Sequence, residues 1–127
     1  MRKFNQKKVL MILDMEKTNT SFNRIEIDYN TLKSLVLLNL IDESECQNYS
    51  PSISEFLEFF EKNNCSNSEV IFEAYLITDR EDARLTVEGI RLDVELSSEK
   101  TKKMFENKFS NADEFSNTSD ECRAWWD

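Results

Sequence analysis

Two stretches in the second half of the chain restrict its fold more than anything else. "EVIFEAYLIT" (residues 69–78) and "ARLTVEGIRLDVEL" (83–96) are rich in Val, Ile, Leu, Phe, Tyr and Thr, and a short polar spacer containing "DRED" separates them. Alternating β-branched and aromatic residues on either side of a polar turn predict an antiparallel hairpin. Val70, Phe72, Ala74 and Leu76 share one face of the first stretch. In the second, Leu85 and Val87 fall on odd positions, but Ile90, Leu92, Val94 and Leu96 fall on even ones, so the phase slips at Glu88-Gly89. Two structures account for the slip: a β-bulge with Gly89 at a position needing positive φ, or a tight Glu88-Gly89 turn that opens a second hairpin. The bulge is preferred. Either way, Gly89→Ala should destabilise the fold.

The first half reads as helical. "NQKKVLMILDMEK" (5–17) places Val9, Ile12 and Leu13 at helical spacing behind an Asn5 N-cap. After the polar "TNTSFN", Ile25, Ile27 and Tyr29 alternate with Arg24, Glu26 and Asp28, the period of a short half-buried strand. "NTLKSLVLLNLID" (30–42) is apolar on nearly every face and predicts a central helix that stops near Leu38, with Asn39 left-handed and Leu40 folding back in a Schellman end. "SPSISEFLEFFEKN" (50–63) predicts a helix capped by Ser50 or Ser52, with Ile53, Phe56, Leu57 and Phe60 on its inner face and Phe59 off the main stripe. "SSEKTKKMFENKFSNADEF" (97–115) predicts a last helix from Ser97 or Ser98, carrying Met104, Phe105, Lys108 and Phe109 near one face and running on through Ala112 and Phe115. "SNTSDE" then breaks the pattern before the terminal "CRAWWD". The expected architecture is a single α+β domain spanning 1–127: a helical N-terminal half, an antiparallel sheet around 69–96, and a C-terminal helix with a docked tail covering one sheet face.

Missing residue types exclude several chemistries. The chain has no His, so catalytic triads built on imidazole are ruled out and the commonest transition-metal ligand is lacking. Gly89 is the sole glycine, which excludes both the GxGxxG dinucleotide turn and the P-loop. Cys46, Cys65 and Cys122 are odd in number, widely spaced and without a CxxC pair, so they are expected to be free structural thiols. No cofactor is expected.

Charge points toward a partner. The net charge is −9, with +3 on residues 1–17 and −5 on each of 18–65 and 66–97. An acidic middle disfavours nucleic-acid phosphates and anionic membranes and suits a basic protein surface. No apolar run approaches the roughly 20 residues of a membrane span, and Met1 to Phe4 lead into a helical pattern, so a soluble cytoplasmic protein is expected. A helix, a short connection and a second helix ending in "NLID" (39–42) resembles part of a winged-helix domain, which implies a DNA-reading helix and a regulatory role. That helix offers Lys33 as its one cation, and Asp28, Asp42 and Glu43 flank it where phosphates would sit.

Three groups of residues are candidate sites. Glu73, Asp79, Glu81, Asp82, Glu88, Asp93 and Glu95 form a candidate acidic surface; read as a metal or hydrolase site they would offer carboxylate chemistry, and read as a solvated face they serve solubility. Trp125 and Trp126, with Arg123 and Asp127 beside them, are candidates for protein interaction, as is Phe59. Against this stands self-packing of the two tryptophans, because exposed termini are ordinarily polar. The leading expectation is a non-catalytic binding module of inhibitor, immunity or accessory type facing a basic partner, ahead of carboxylate chemistry on 69–96 and a winged-helix-like regulator.

Overall fold

The computed structural model describes residues 3–16 and 20–127, among which are four helices and five strands. The first helix, expected to run over 5–17, ends at Ile12 with Leu13 as its C-cap, and Asp14 is left-handed (φ 57°); Met1, Arg2, Lys17, Thr18 and Asn19 lie outside the described residues. In chain order the elements are α1 (Gln6–Ile12), β1 (Phe22–Ile27), α2 (Tyr29–Leu37), α3 (Ile53–Lys62), β2 (Val70–Ile77), β3 (Arg84–Leu92), α4 (Glu99–Phe109), β4 (Glu114–Asn117) and β5 (Cys122–Trp125). The strands form one antiparallel sheet in the order β1-β2-β3-β5-β4. The class is α+β, as the patterning predicts.

Helix ends follow local chemistry. Asn5, Asp28, Ser52 and Ser98 each accept a backbone N–H with their side chains at the four N-termini, and Ser52 with Glu55 completes a reciprocal capping box. α2 closes as expected: Asn39 is left-handed (φ 61°), its N–H donates to the Val36 carbonyl, and the Leu40 N–H reaches back to Leu35 at 2.9 Å. Tyr29 belongs to this helix rather than to the strand before it. Its ring stacks on Phe60 at 3.8 Å and its hydroxyl donates to Glu61, while burial and that carboxylate push the hydroxyl's pKa up to about 12. Lys33, the cation of the winged-helix reading, pairs with the same Glu61 at 3.0 Å.

The core lies on one face of the sheet. Val70, Phe72, Ala74 and Leu76 of β2, Leu85, Val87, Ile90 and Leu92 of β3, and Cys122, Ala124 and Trp126 all join it. Phe56 of α3 and Phe109 of α4 close over them with ring centroids 5.7 Å apart. Phe59, expected at the edge of the core and a candidate for interaction, is instead buried at 4% exposure between Phe105 and Phe109. It is a core residue because α4 crosses the flank of α3 that the heptad-like stripe leaves outside.

Three expectations about the C-terminal third need correction. α4 ends at Phe109, and Phe115 belongs to β4, where its ring stacks on Phe105 at 5.7 Å. The tail is not a docked appendage. Residues 122–125 form β5, inserted between β3 and β4 with Ile90 opposite Ala124 and Phe115 opposite the same Ala124. "SN" of "SNTSDE" ends β4, and residues 118–121 form the turn joining it to β5, where Thr118 Oγ1 accepts the Asp120 and Glu121 N–H groups. β3 likewise stops at Leu92 rather than Leu96, because Asp93 accepts the Glu95 and Leu96 N–H groups at 2.9 and 3.1 Å and turns the chain.

Candidate functional site on the open sheet face

Because β2, β3 and β5 alternate, the residues between the core positions point to the opposite face. There Arg24, Glu26, Glu73, Tyr75, Arg91, Arg123 and Trp125 meet. Glu73 sits at the centre of this face, across from Glu26 on β1 and Gly89 on β3. Its side chain is 4% exposed, and three guanidinium groups neutralise it: Arg123 Nε lies 2.8 and 3.2 Å from its two oxygens, Arg91 Nη1 at 3.5 Å and Arg24 Nη2 at 3.6 Å. Arg91 also binds Glu26 at 3.0 Å. That hydrogen bond holds the Glu26 carboxyl below its usual range and raises Arg91 above its own. A central, buried carboxylate is costly unless paired and hydrogen-bonded, and here it is both.

Trp125 covers the middle of the face. Its ring carries Arg24 at 4.8 Å and Arg123 at 5.3 Å as cation–π partners, and Tyr75 meets it edge-on at 5.6 Å. Gly89 makes room for it. The residue is in the bulge, since Glu73 pairs with Gly89 while Ala74 pairs with Val87, leaving Glu88 as the extra residue. The expected positive φ is absent at this glycine. Its requirement is space instead: a Cβ there would lie 2.6 Å from Trp125 Cε3, 2.9 Å from Glu73 Oε2 and 3.1 Å from the Ala124 carbonyl oxygen.

The two tryptophans therefore part company across the sheet. Trp126 turns into the core, edge-on to Phe56 and Phe109 at 5.8 and 5.9 Å, with its Nε1 buried and, among the described residues, without a hydrogen-bond partner. Trp125 turns to the open face. Both are nearly fully covered, at 4% and 2% exposure, so neither projects as a bare hot spot.

The candidate acidic surface divides in the structure. Glu73 and Glu88 are buried, which removes them from any surface. Glu88 accepts the Thr86 hydroxyl and the Asn48 amide at 3.0 Å each, and its main-chain oxygen accepts Trp126 N; burial pushes its carboxyl above the ordinary value. Asp79 accepts from Gln6, and Asp82 pairs with Arg80 and Arg84 in the β2–β3 turn, where Glu81 is exposed. Asp93 and Glu95 stand at the other end of β3. No three His, Cys, Asp or Glu side chains among the described residues gather closely enough to hold a metal ion. The register explains the dispersal: a hairpin alternates its acids between two faces and two ends. The three cysteines are unbridged among the described residues, and burial beside Glu69 pushes the Cys65 thiol up to about 12.

Two basins among the described residues lie beside the C-terminal strands. One, of about 560 Å³, runs between α4 and the β4–β5 turn, where Asn117 Nδ2 donates to the Lys102 carbonyl and to Glu106. The other, of about 520 Å³, lies on the open face over Arg24, Tyr75, Arg91, Arg123 and Trp125, with Glu114, Glu121 and Asp127 along its β4–β5 side. Arg123 and Asp127, named from the sequence as neighbours of the tryptophans, thus both reach this basin. Arg24, Arg91 and Tyr75 were not singled out from the sequence for such a role. Their signal was the alternation of β1 and β3, which puts charged residues at every second position. Glu73's two carboxylate oxygens are both engaged by arginines. No helix among the described residues is long and apolar enough to cross a membrane. The chain matches no protein-family model, no curated protein and no solved structure.

Proposed function

We propose that this protein is a small non-catalytic binding module, of inhibitor, immunity or accessory type, that presents a negative surface to a basic partner protein. One observation carries the reading. The arginines of the sheet and of its β2–β3 turn are already matched with acids, Arg24 and Arg123 with Glu73, Arg91 with Glu26 and Glu73, and Arg80 and Arg84 with Asp82. Much of the net charge of −9 therefore falls on acids at exposed positions, Asp113, Glu114, Asp120, Glu121 and Asp127 among them. Exposed charge of one sign steers association with a partner of the opposite sign and sets its specificity. Calorimetric titration at physiological ionic strength tests it with two synthetic peptides of equal length, one alternating Lys with Thr and one alternating Glu with Thr. Binding of the Lys peptide, weakening as salt rises, and none of the Glu peptide is the expected result. Equal behaviour of the two peptides would sink the reading.

A further inference from the structure

We infer that the basic partner docks on the open face of the sheet, along its β4–β5 flank, with its Lys or Arg side chains set against Glu114, Glu121 and Asp127. The inference rests on the reading above and gives it a location. Val9 of α1, Leu32 and Leu35 of α2, Phe56 of α3 and Phe105 of α4 all join the core on the opposite face, and the basin of about 520 Å³ lies on this one. Its floor is organised before any partner arrives. Trp125 is fixed by Arg24, Arg123 and Tyr75, and Arg91 and Arg123 are fixed by Glu73. A surface whose long side chains are already ordered loses little entropy on binding.

Charge identifies the occupant. On the β1 to β3 side, Arg24 and Arg91 are balanced by Glu26 and Glu73. Across the face three arginines, Arg24, Arg91 and Arg123, meet five carboxylates; on the β4–β5 side Arg123, 18% exposed and shared with Glu73, lies 3.6 Å from Glu114, and Glu121 also interacts with Arg91, while Asp127 adds a further acid. The surplus on this flank is negative and open to solvent. A second copy of the chain would bring nine further negative charges against it and is disfavoured by repulsion. A segment bearing Lys or Arg completes it.

The test compares two triple variants in the titration with the Lys-Thr peptide. The first carries Glu114→Gln, Glu121→Gln and Asp127→Asn on the face; the second carries Glu43→Gln, Glu81→Gln and Glu95→Gln, which remove the same charge elsewhere. The amides keep the hydrogen-bonding shape of the acids, including the acceptor that Glu121 offers to Ser116, and melting curves check that both variants fold. The face variant should bind about tenfold more weakly than the parent, and the second variant within about twofold of it. Equal losses in the two variants would overturn the location while leaving the function standing. No binding by the parent chain would overturn both.

Discussion

Gly89→Ala is the perturbation whose consequence the structure determines most sharply. The backbone there does not need glycine, because φ lies outside the left-handed region. Placing a methyl group 2.6 Å from Trp125 Cε3 and 2.9 Å from Glu73 Oε2 forces movement of groups that cannot yield cheaply. The ring is flanked by two guanidinium groups, and the carboxylate is held at 2.8 Å by Arg123. Overpacking of this kind costs about 1 to 3 kcal/mol. Relief of the backbone entropy that glycine carries in a strand returns about 0.5 kcal/mol, for a net loss near 1.5 kcal/mol. With an unfolding entropy of about 2.1 cal/mol/K per residue, a chain of 127 residues has about 0.27 kcal/mol/K in all, so the melting temperature should fall by roughly 5 °C. Differential scanning calorimetry reads this directly. The decisive arm is the same substitution made in a Trp125→Leu background, where the obstructing ring is gone. There Gly89→Ala should cost less than half as much. A neutral or stabilising Gly89→Ala, or an equal cost in both backgrounds, would refute the close-approach argument.

Three further perturbations follow from the same contacts. Glu73→Gln removes the charge that three arginines share and should lower stability by about 2 kcal/mol, short of the 3 to 5 kcal/mol of a sealed pair because Arg24 and Arg91 keep contact with water; an unchanged denaturation midpoint would contradict the network. Burial raises the Glu88 carboxyl above its ordinary 4.5, so its protonated form favours the folded state; that contribution is fully present below about pH 4.5 and is lost as pH rises through the folded value. Glu88→Gln should accordingly match the parent at about pH 4 and exceed it near pH 7, and the opposite order in melting curves would show the carboxylate to be stabilising as an anion. Trp126→Ala should cost about 3 to 5 kcal/mol, whereas Trp126→Phe should cost much less because it also removes the unpartnered Nε1; similar losses for the two in urea denaturation would argue against the core placement.

Most of the fold was legible where a local signal carried enough residues. The hairpin announced itself through two long alternating runs, and α2 through its apolar density and the Asn39-Leu40 end. Gly89 marked the bulge because a one-residue slip moves every later side chain to the other face, but its φ and its crowding by Trp125 depend on β5, which arrives from the end of the chain. β4 was not legible: "EFSN" has one apolar residue and four positions, too few to show a period. β5 was partly so. Cys122, Ala124 and Trp126 alternate with Arg123 and Trp125, a strand with large residues on both faces, and adjacent tryptophans read as a docked tail only if that alternation is overlooked. The candidate site suffered from the same gap. Exposed and buried acids look alike in sequence, and Glu73 became central only when register brought Arg24, Arg91 and Arg123 around it.

A basic partner is proposed to dock on the β4–β5 flank of the open sheet face. Amide and indole resonances of the isotope-labelled protein, followed while the Lys-Thr peptide is added at physiological salt, test it most directly. Shifts concentrated in residues 114–127, together with the Trp125 indole while that of Trp126 stays fixed, are the predicted outcome. Shifts centred on the loop of residues 42–49, or spread evenly over the chain, would contradict it.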